Sequence, residues 1–555
     1  MTTSLTRELN SRIAGDTILD PSPPSLEFIK SLVKDREQYF QAFHAQCKLE
    51  EDYYFMRRVI PTAKEADFDD FVYPATARAI IDVATDHVDI NNVSIDIPLM
   101  LRSKARAERI KKFLLGTWLN IRQPVKRTAV KHSNLYGIFF WKPMFDVDNW
   151  PDAPMLADFG AEQLDGNTVI FNEKEYVEAQ KEFMAKRKLT FPFVLRNRNP
   201  RNMLWDDSRN GPQWAIFKEE TTAGNLRRKY PQWLSGKNDG EPATWIEYED
   251  NVWYAYMADG QFVVPPTMHG YGFIPTVIGI PGTAVDWDEG PPENRYQGVL
   301  YPAHNLLDTE ARLATQVEVI IRTVAWRTID FKGNRQQAET ARNEYELWGG
   351  KNVIGPDVEV MPSPILNVPP DLLNQIGMVQ SMIEDVTFPS VVKGVQPGGV
   401  NSGFNTSVRA GLGRLRFQPH VDGIARAIET VNMDFLKLIE NRVLSSVTVN
   451  ARSEVHNFDQ TLGPNDINGY YENVASLKAE APEEREREAL LAIQLRSAPG
   501  GPLISIYEAM RRAGVANPLE EQNQIAAELL LTGAREKQLE EFLERLGKTE
   551  QDQLQ

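Results

Sequence analysis

Residues 299 to 326 constrain this chain more than any other stretch. Ala303, Leu306, Leu313, Val317, Ile320 and Val324 recur there at spacings of three, four and seven, which predicts one apolar stripe along an α-helix. About 27 residues at about 1.5 Å rise make a rod of roughly 40 Å. Pro369-Pro-Asp-Leu-Leu373 opens a second, shorter helix that runs to about Val386. Between the two, Arg327 to Phe331, a polar run near 335–347 and the segments Val353-Ile354 and Val358 to Val360 read as a small α/β insert. Two helices that leave a body and return can carry such an insert outward on an antiparallel stalk. A lone stalk would expose its stripe to water at about 25 cal/mol per Å². Neighbouring copies can cover that stripe, which implies a helical barrel made by self-association. The alternative, an internal hairpin packed on its own body, satisfies the same pattern.

Around this pair the chain reads as α+β. Met1 to Pro24 is a polar arm ending in Pro21-Ser-Pro-Pro24, and Ser25 caps a helix with Phe28, Leu32, Tyr39 and Phe43 on one face. A second helix starts near Pro74 with Ile80, Ile81, Val83 and Val88 as its stripe, and a third, basic on one side, spans Ser103 to Asn120. Tyr136-Gly-Ile-Phe-Phe-Trp141 turns from helix into an apolar strand. From about 165 to 285 the period becomes two, in Thr190 to Leu195, Trp214 to Phe217 and Val252 to Met257, with Asp259-Gly260 as a hairpin turn into Gln261 to Val264. After a glycine-rich loop at 391–406, Pro419 is expected to kink a long amphipathic helix whose seam is Ile424, Ile428, Val431, Phe435 and Leu438. The last 80 residues or so read as helical and acidic, broken at Pro499-Gly-Gly-Pro502.

The 77 acidic and 61 basic side chains leave a formal charge of −16, which argues against a protein that coats nucleic acid. A single cysteine, Cys47, excludes an internal disulfide framework and a cysteine zinc cluster. No apolar run reaches the roughly 18 residues that span a bilayer, and the first residues lack a signal-peptide core. The expectation is a reducing, aqueous compartment and no membrane. Catalytic signatures are missing. Gly349-Gly-Lys351 is followed by Asn352 where a phosphate loop needs a hydroxyl residue, and Gly411-Leu-Gly413 is half of a dinucleotide fingerprint within a helical stretch. Asp146-x-Asp148, Asp286-x-Asp288 and Asp206-Asp207 read as turns rather than metal loops. No enzyme activity, metal or cofactor is expected.

One loop stands apart. Between Asp385 and Asp422 there is no acidic residue, while Lys393, Arg409, Arg414 and Arg416 are basic. Its tip, Gln396-Pro-Gly-Gly-Val-Asn-Ser-Gly403, is small and rich in amide and hydroxyl groups, suited to brief, sequence-blind contacts with phosphate oxygens. A surface loop shaped by turn chemistry alone is the other reading.

The order of these elements resembles that of the portal, or head–tail connector, proteins of tailed bacteriophages. The resemblance is carried by Val130-Lys-His-Ser-Asn-Leu-Tyr-Gly137 leading into a strand, Asn199-Pro-Arg-Asn-Met-Leu-Trp-Asp206, Tyr301-Pro-Ala-His-Asn-Leu-Leu-Asp-Thr-Glu310, and Pro370-Asp-Leu-Leu373 through Phe388-Pro389. It implies a flexible arm at 1–24, a wing at 25–297, stem helices at 298–326 and 369–390, a clip at 327–368 and a tunnel loop at 391–406. A kinked wing helix and strand would follow at 407–462 and a helical crown or tail at 463–555. It further implies a homo-oligomeric ring, commonly of twelve subunits, at one vertex of a virion capsid and assembled in the host cytoplasm. Double-stranded DNA would pass through it during packaging and ejection. Its partners would be the terminase large subunit, head–tail adaptor or tail proteins, and major capsid and scaffolding proteins. Lys393, Gln396, Asn401, Ser402, Asn405 and Arg409 would face DNA, and Leu306, Leu313, Val317, Ile320 and Val324 would pack stem against stem. An acidic wall would repel phosphates and keep the duplex centred, with sparse cations touching it within a Debye length of about 8 Å. Another ring-forming structural virion protein, an adaptor or baseplate subunit, is the alternative.

Overall fold

The computed structural model describes residues 22–58, 72–86, 93–98, 104–159, 162–165, 168–170, 172–207, 211–284, 290–325, 329–344, 357–362, 370–387, 417–452, 457–477, 490–497 and 503–513, with isolated positions beside them. The main helices in chain order are α1 (Leu26–Tyr54), α2 (Thr76–Asp86), α3 (Lys104–Asn120), α4 (Gln123–Tyr136), α5 (Glu173–Leu189), α6 (Ala223–Lys229), α7 (His304–Ala325), α8 (Arg335–Glu344), α9 (Pro370–Val386) and α10 (Gln418–Leu438). The strands are β1 (Ser94–Asp96), β2 (Phe139–Phe145), β3 (Glu162–Asp165), β4 (Thr168–Ile170), β5 (Phe193–Arg198), β6 (Met203–Trp205), β7 (Trp214–Thr222), β8 (Pro242–Asp250), β9 (Trp253–Ala258), β10 (Gln261–Met268), β11 (Val277–Gly279), β12 (Ile329–Gly333), β13 (Val358–Pro362), β14 (Val447–Arg452), β15 (Asn457–Leu462) and β16 (Val474–Ser476). Helix and antiparallel sheet are mixed, and the fold class is α+β.

The chain divides into two units. Unit 1 comprises residues 1–86, 121–149 and 192–445, and unit 2 residues 87–120, 150–191 and 446–555. Unit 1 holds a five-stranded sheet ordered β10-β9-β8-β7-β6 and a three-stranded one ordered β11-β2-β5. Asp259 and Gly260, with φ of 47° and 75°, make the two-residue turn between β9 and β10, where Ala258 pairs with Gln261. α1 starts where Ser25 accepts a hydrogen bond from Phe28 N at 3.2 Å. Its buried face is Phe28, Ile29, Leu32, Val33, Phe40, Phe43 and Cys47. Tyr39, expected on that face, is exposed: it lies one position off the stripe, and Phe40 takes the core site, 4.1 Å from the Trp205 ring. α10 buries its whole expected seam against β11, β2 and α4. The expected kink at Pro419 is replaced by a start. Pro419 lies in the first turn of α10, where a helix has no intrahelical bond to lose, and Phe417 caps it.

In unit 2, α3 packs on the β14–β15 hairpin, burying Phe113, Leu114 and Trp118 beside Val447, Val449 and Ala451. β1 pairs antiparallel with β16, Ile95 opposite Ala475. The period-two reading of 165–285 missed α5, which buries no residue and so shows no apolar stripe. Its signal is charge: Glu173 and Glu175 in the first turn, Lys186, Arg187 and Lys188 in the last, which complement the helix dipole. The C-terminal region, read as helical, also carries strand β16.

Candidate functional site

The stalk expected from the sequence corresponds to α7, α9 and the insert between them, all within unit 1. A 3-10 turn at Tyr301–Ala303, started by Pro302, leads into α7. Leu307, Ala311 and Leu313 of α7 are buried with Val379 and Ile383 of α9, and Leu372 and Ile376 pack half-buried against the same cluster. At the root end Gln380 Nε2 donates to Glu310 Oε1 at 3.1 Å. At the far end β12 and β13 close an antiparallel ladder from Ile329 opposite Pro362 to Gly333 opposite Val358. The two helices therefore run antiparallel, with the insert across their outer ends. α8 lies on β12 and β13, and Gly333 is required there because a Cβ would strike the Asp357 carbonyl.

The root of α7 is held to α1 by a polar cluster. His304 Nε2 lies 2.8 Å from Glu50 Oε1, Tyr53 donates to Asp308 at 2.8 Å, and Arg58 reaches Asp308 at 3.4 Å. Thr76 of α2 donates to Glu310 at 2.9 Å. Burial pushes the Glu50 carboxyl up, and the His304 hydrogen bond opposes that shift. Next to it Glu51 accepts from Tyr136 at 2.9 Å and Asn199 at 3.3 Å and pairs with Arg201 at 2.8 Å. Three of the four stretches that carried the resemblance, around Tyr136, Asn199 and His304, thus meet at the C-terminal half of α1. Nothing local marks this junction, because its partners lie 85 to 255 positions apart.

The expected stem-packing residues fare differently. Leu313, expected to meet a neighbouring copy, is 7% exposed and covered by its own chain. It belongs to one core cluster with Val379 and Ile383 of α9 and with residues of α1 and α2. Leu306 is half-buried against the same core, and Val317 and Ile320 are half-buried. The side chain of Val324 lies outside the described residues, as do Lys393, Gln396, Asn401, Ser402, Asn405 and Arg409 with the whole loop at 391–406. The apolar surface left open belongs to other side chains. Met378, Met382 and Val386 step by four along α9 at 62%, 47% and 41% exposure, with Leu373 on α9 and Ile321 on α7 also exposed. A second stripe, about a quarter-turn from the first, was present in the 378-382-386 spacing.

Of the remaining acidic candidates, Asp286 to Asp288 lie outside the described residues, and the others make turn and pairing contacts. Asp207 pairs with Arg295 and accepts from Tyr296 at 2.8 Å and Tyr39 at 3.1 Å. Asp146 accepts from the Asn149 side chain at 2.6 Å, as a turn residue does. Among the described residues no group of three His, Cys, Asp or Glu side chains could hold a metal ion, and no helix is long and apolar enough to cross a membrane. Gly349 to Lys351 and Gly411 to Gly413 lie outside the described residues. In comparisons with known proteins, no family model matches this chain and no curated protein matches it.

Proposed function

We propose that the chain is the subunit of a ring-shaped portal, a channel at one capsid vertex through which double-stranded DNA is packaged and ejected. One observation carries this reading: an antiparallel helical pair bears an α/β insert at its outer end and keeps an apolar stripe, Met378, Met382 and Val386, that is open among the described residues. Copies arranged around an axis cover that stripe, at about 25 cal/mol for each Å² removed from water. α7 and α9 are then the stem and β12-α8-β13 the clip. The acid-free segment between Asp385 and Asp422, with Lys393 and Arg409, is the loop that touches the duplex. The acidic balance of the chain lets a polyanion slide, where dense basic contacts would hold it by counterion release.

Negative-stain imaging of the purified chain tests the architecture. The reading expects a collar with a central hole and a narrow stalk; a solid particle contradicts it. Deleting Pro397 to Gly403 is expected to impair DNA translocation or retention in assembled particles with rings intact. Normal filling in that variant removes the loop from the mechanism. Rings that bind no packaging motor identify the adaptor or baseplate alternative.

A further inference from the structure

The five-stranded sheet of unit 1 has two unlike faces. Lys218 of β7 bonds Glu37 of α1, so α1 packs on the face that Lys218 shares. The register of β8 with β9 puts Trp245, Glu247, Glu249, Tyr254 and Tyr256 on the opposite face. Part of that face is taken by Lys142 of β2, 3.0 Å from Glu247 and 2.6 Å from Glu249, and by Arg198 of β5, which also pairs with Glu247.

The rest carries a ladder of aromatic rings. Tyr230, the residue that ends α6, stacks on Trp245 with centroids 4.9 Å apart and planes within 17°. Tyr256 lies 5.5 Å from Trp245, and Tyr254 lies 5.3 Å from Tyr256. Tyr230, Tyr254 and Tyr256 are half-buried, and their hydroxyls bond to nothing among the described residues. Lys229 Nζ stands 5.3 Å from the Tyr230 ring and 5.6 Å from that of Trp245. Lys229 and Arg196 are exposed and have no carboxylate partner among the described residues. Arg196 stands opposite Lys142 in the β2–β5 register and two positions from Arg198, so these three cations share one face; burial pushes the Lys229 ammonium down, Glu247 draws it up, and Arg196, Arg198 and Lys142 press it down again. Against Lys142, Arg196, Arg198 and Lys229 stand Glu247, Glu249 and, opposite Trp245 on β7, Glu219, four charges against three. Glu247 and Glu249 are already consumed by Lys142 and Arg198, which leaves Lys229 and Arg196 to a ligand.

Ring faces, free phenolic donors and unpaired cations together match one ligand chemistry. An unpaired base stacks on aromatic rings whatever its identity, while its phosphate takes the cations. A duplex hides its base faces in its own stack and offers only phosphates. We propose that the Tyr230, Tyr256 and Tyr254 rings, seated on the buried Trp245, bind a base joined to a phosphate, a nucleotide either free or within a single strand, with the phosphate on Lys229 and Arg196. This site is separate from the stem and does not rest on the portal reading.

The test is fluorescence anisotropy of a labelled oligothymidylate with the full-length chain at low salt. Binding is expected, weakening as salt rises. The double variant Arg196→Gln/Lys229→Gln removes two exposed, unpaired side chains and should weaken binding about tenfold or more with an unchanged circular dichroism spectrum. Tyr254→Ser should weaken it by roughly 5- to 150-fold, the range for losing one stacked base. Glu219→Gln should tighten it. Thymidine monophosphate that competes marks a site for free nucleotides, and failure to compete marks one for strands. The proposal falls if the oligonucleotide does not bind, if the double variant binds as before, if a duplex of the same length binds equally, or if inorganic phosphate competes as well as thymidine monophosphate.

Discussion

Along α10 the residues Ile424, Ile428, Val431, Phe435 and Leu438 are all fully buried, while along α9 Met378, Met382 and Val386 stay between 41% and 62% exposed. Both helices belong to unit 1, and both repeat apolar residues at steps of three and four. The difference lies in what reaches them. α10 lies on β11 and β2, so closely that a Cβ on Gly423 would come within 2.7 Å of the Ile280 carbonyl. Among the described residues the main helical partner of α9 is α7, which covers one of its two apolar stripes. A helix on a sheet completes its burial within the chain. A helix packed mainly on one other helix does not, since one cylinder covers one face of another.

Substitutions on the two helices sharpen that contrast. Phe435→Ala should lower unfolding free energy by about 3–5 kcal/mol, since the ring is fully buried and stacks 5.0 Å from Phe193. Chemical denaturation with an unchanged slope would show it, and a loss under about 1 kcal/mol would place α10 outside the core.

The body should also be the acid-sensitive region. Burial holds His132 and His420 down at about 4. Their folded pKa lies below the unfolded value of about 6.5, so the unfolded chain takes the proton first. The stability they contribute is complete above pH 6.5 and is lost as pH falls toward 4. Burial alone would raise the Glu247 carboxyl, but Lys142 and Arg198 hold it down at about 2. Its contribution is complete above an unfolded pKa of about 4.5 and is lost as pH falls toward 2. Each shift corresponds to about 3 kcal/mol. Relative to a His132→Gln/His420→Gln variant, which keeps the opposing Glu50 and Asp434 carboxyls that burial pushes up, denaturant midpoints of the native chain should therefore fall as pH drops from 6.5 toward 4. A rise across that range contradicts the buried assignments.

Smaller effects separate close approach from open surface. Gly423→Ala should cost about 1–3 kcal/mol through the clash with Ile280. Met378→Gln with Met382→Gln should change the stability of the single chain by no more than about 0.5 kcal/mol, while weakening self-association. If that pair instead destabilises the isolated chain as Phe435→Ala does, the stripe is core and the contrast is lost.

Much of unit 1 was legible because its signals are local. Ser25 as a cap, the Asp259-Gly260 turn and the α10 seam each depend on residues within a few positions of one another. The antiparallel pair of α7 and α9 with the insert between them was legible in outline for the same reason. Which stripe stays exposed was not, since that depends on which face of α9 joins the core cluster. Pro419 was misread because its meaning turns on whether a helix precedes it or begins at it. Pairings across long separations left no mark at all. β1 and β16 are three residues each and nearly 380 positions apart, and the Lys142–Glu247 pair spans 105. α5, amphipathic in charge alone, hid inside a region of strands.

The central claim is that identical copies shield the stripe that each chain leaves bare. Its most direct test is the native mass of the full-length chain across a dilution series. A closed ring of one discrete multiple, broken toward smaller species by Met378→Gln with Met382→Gln, is the result expected. A folded, soluble single chain at every concentration contradicts it.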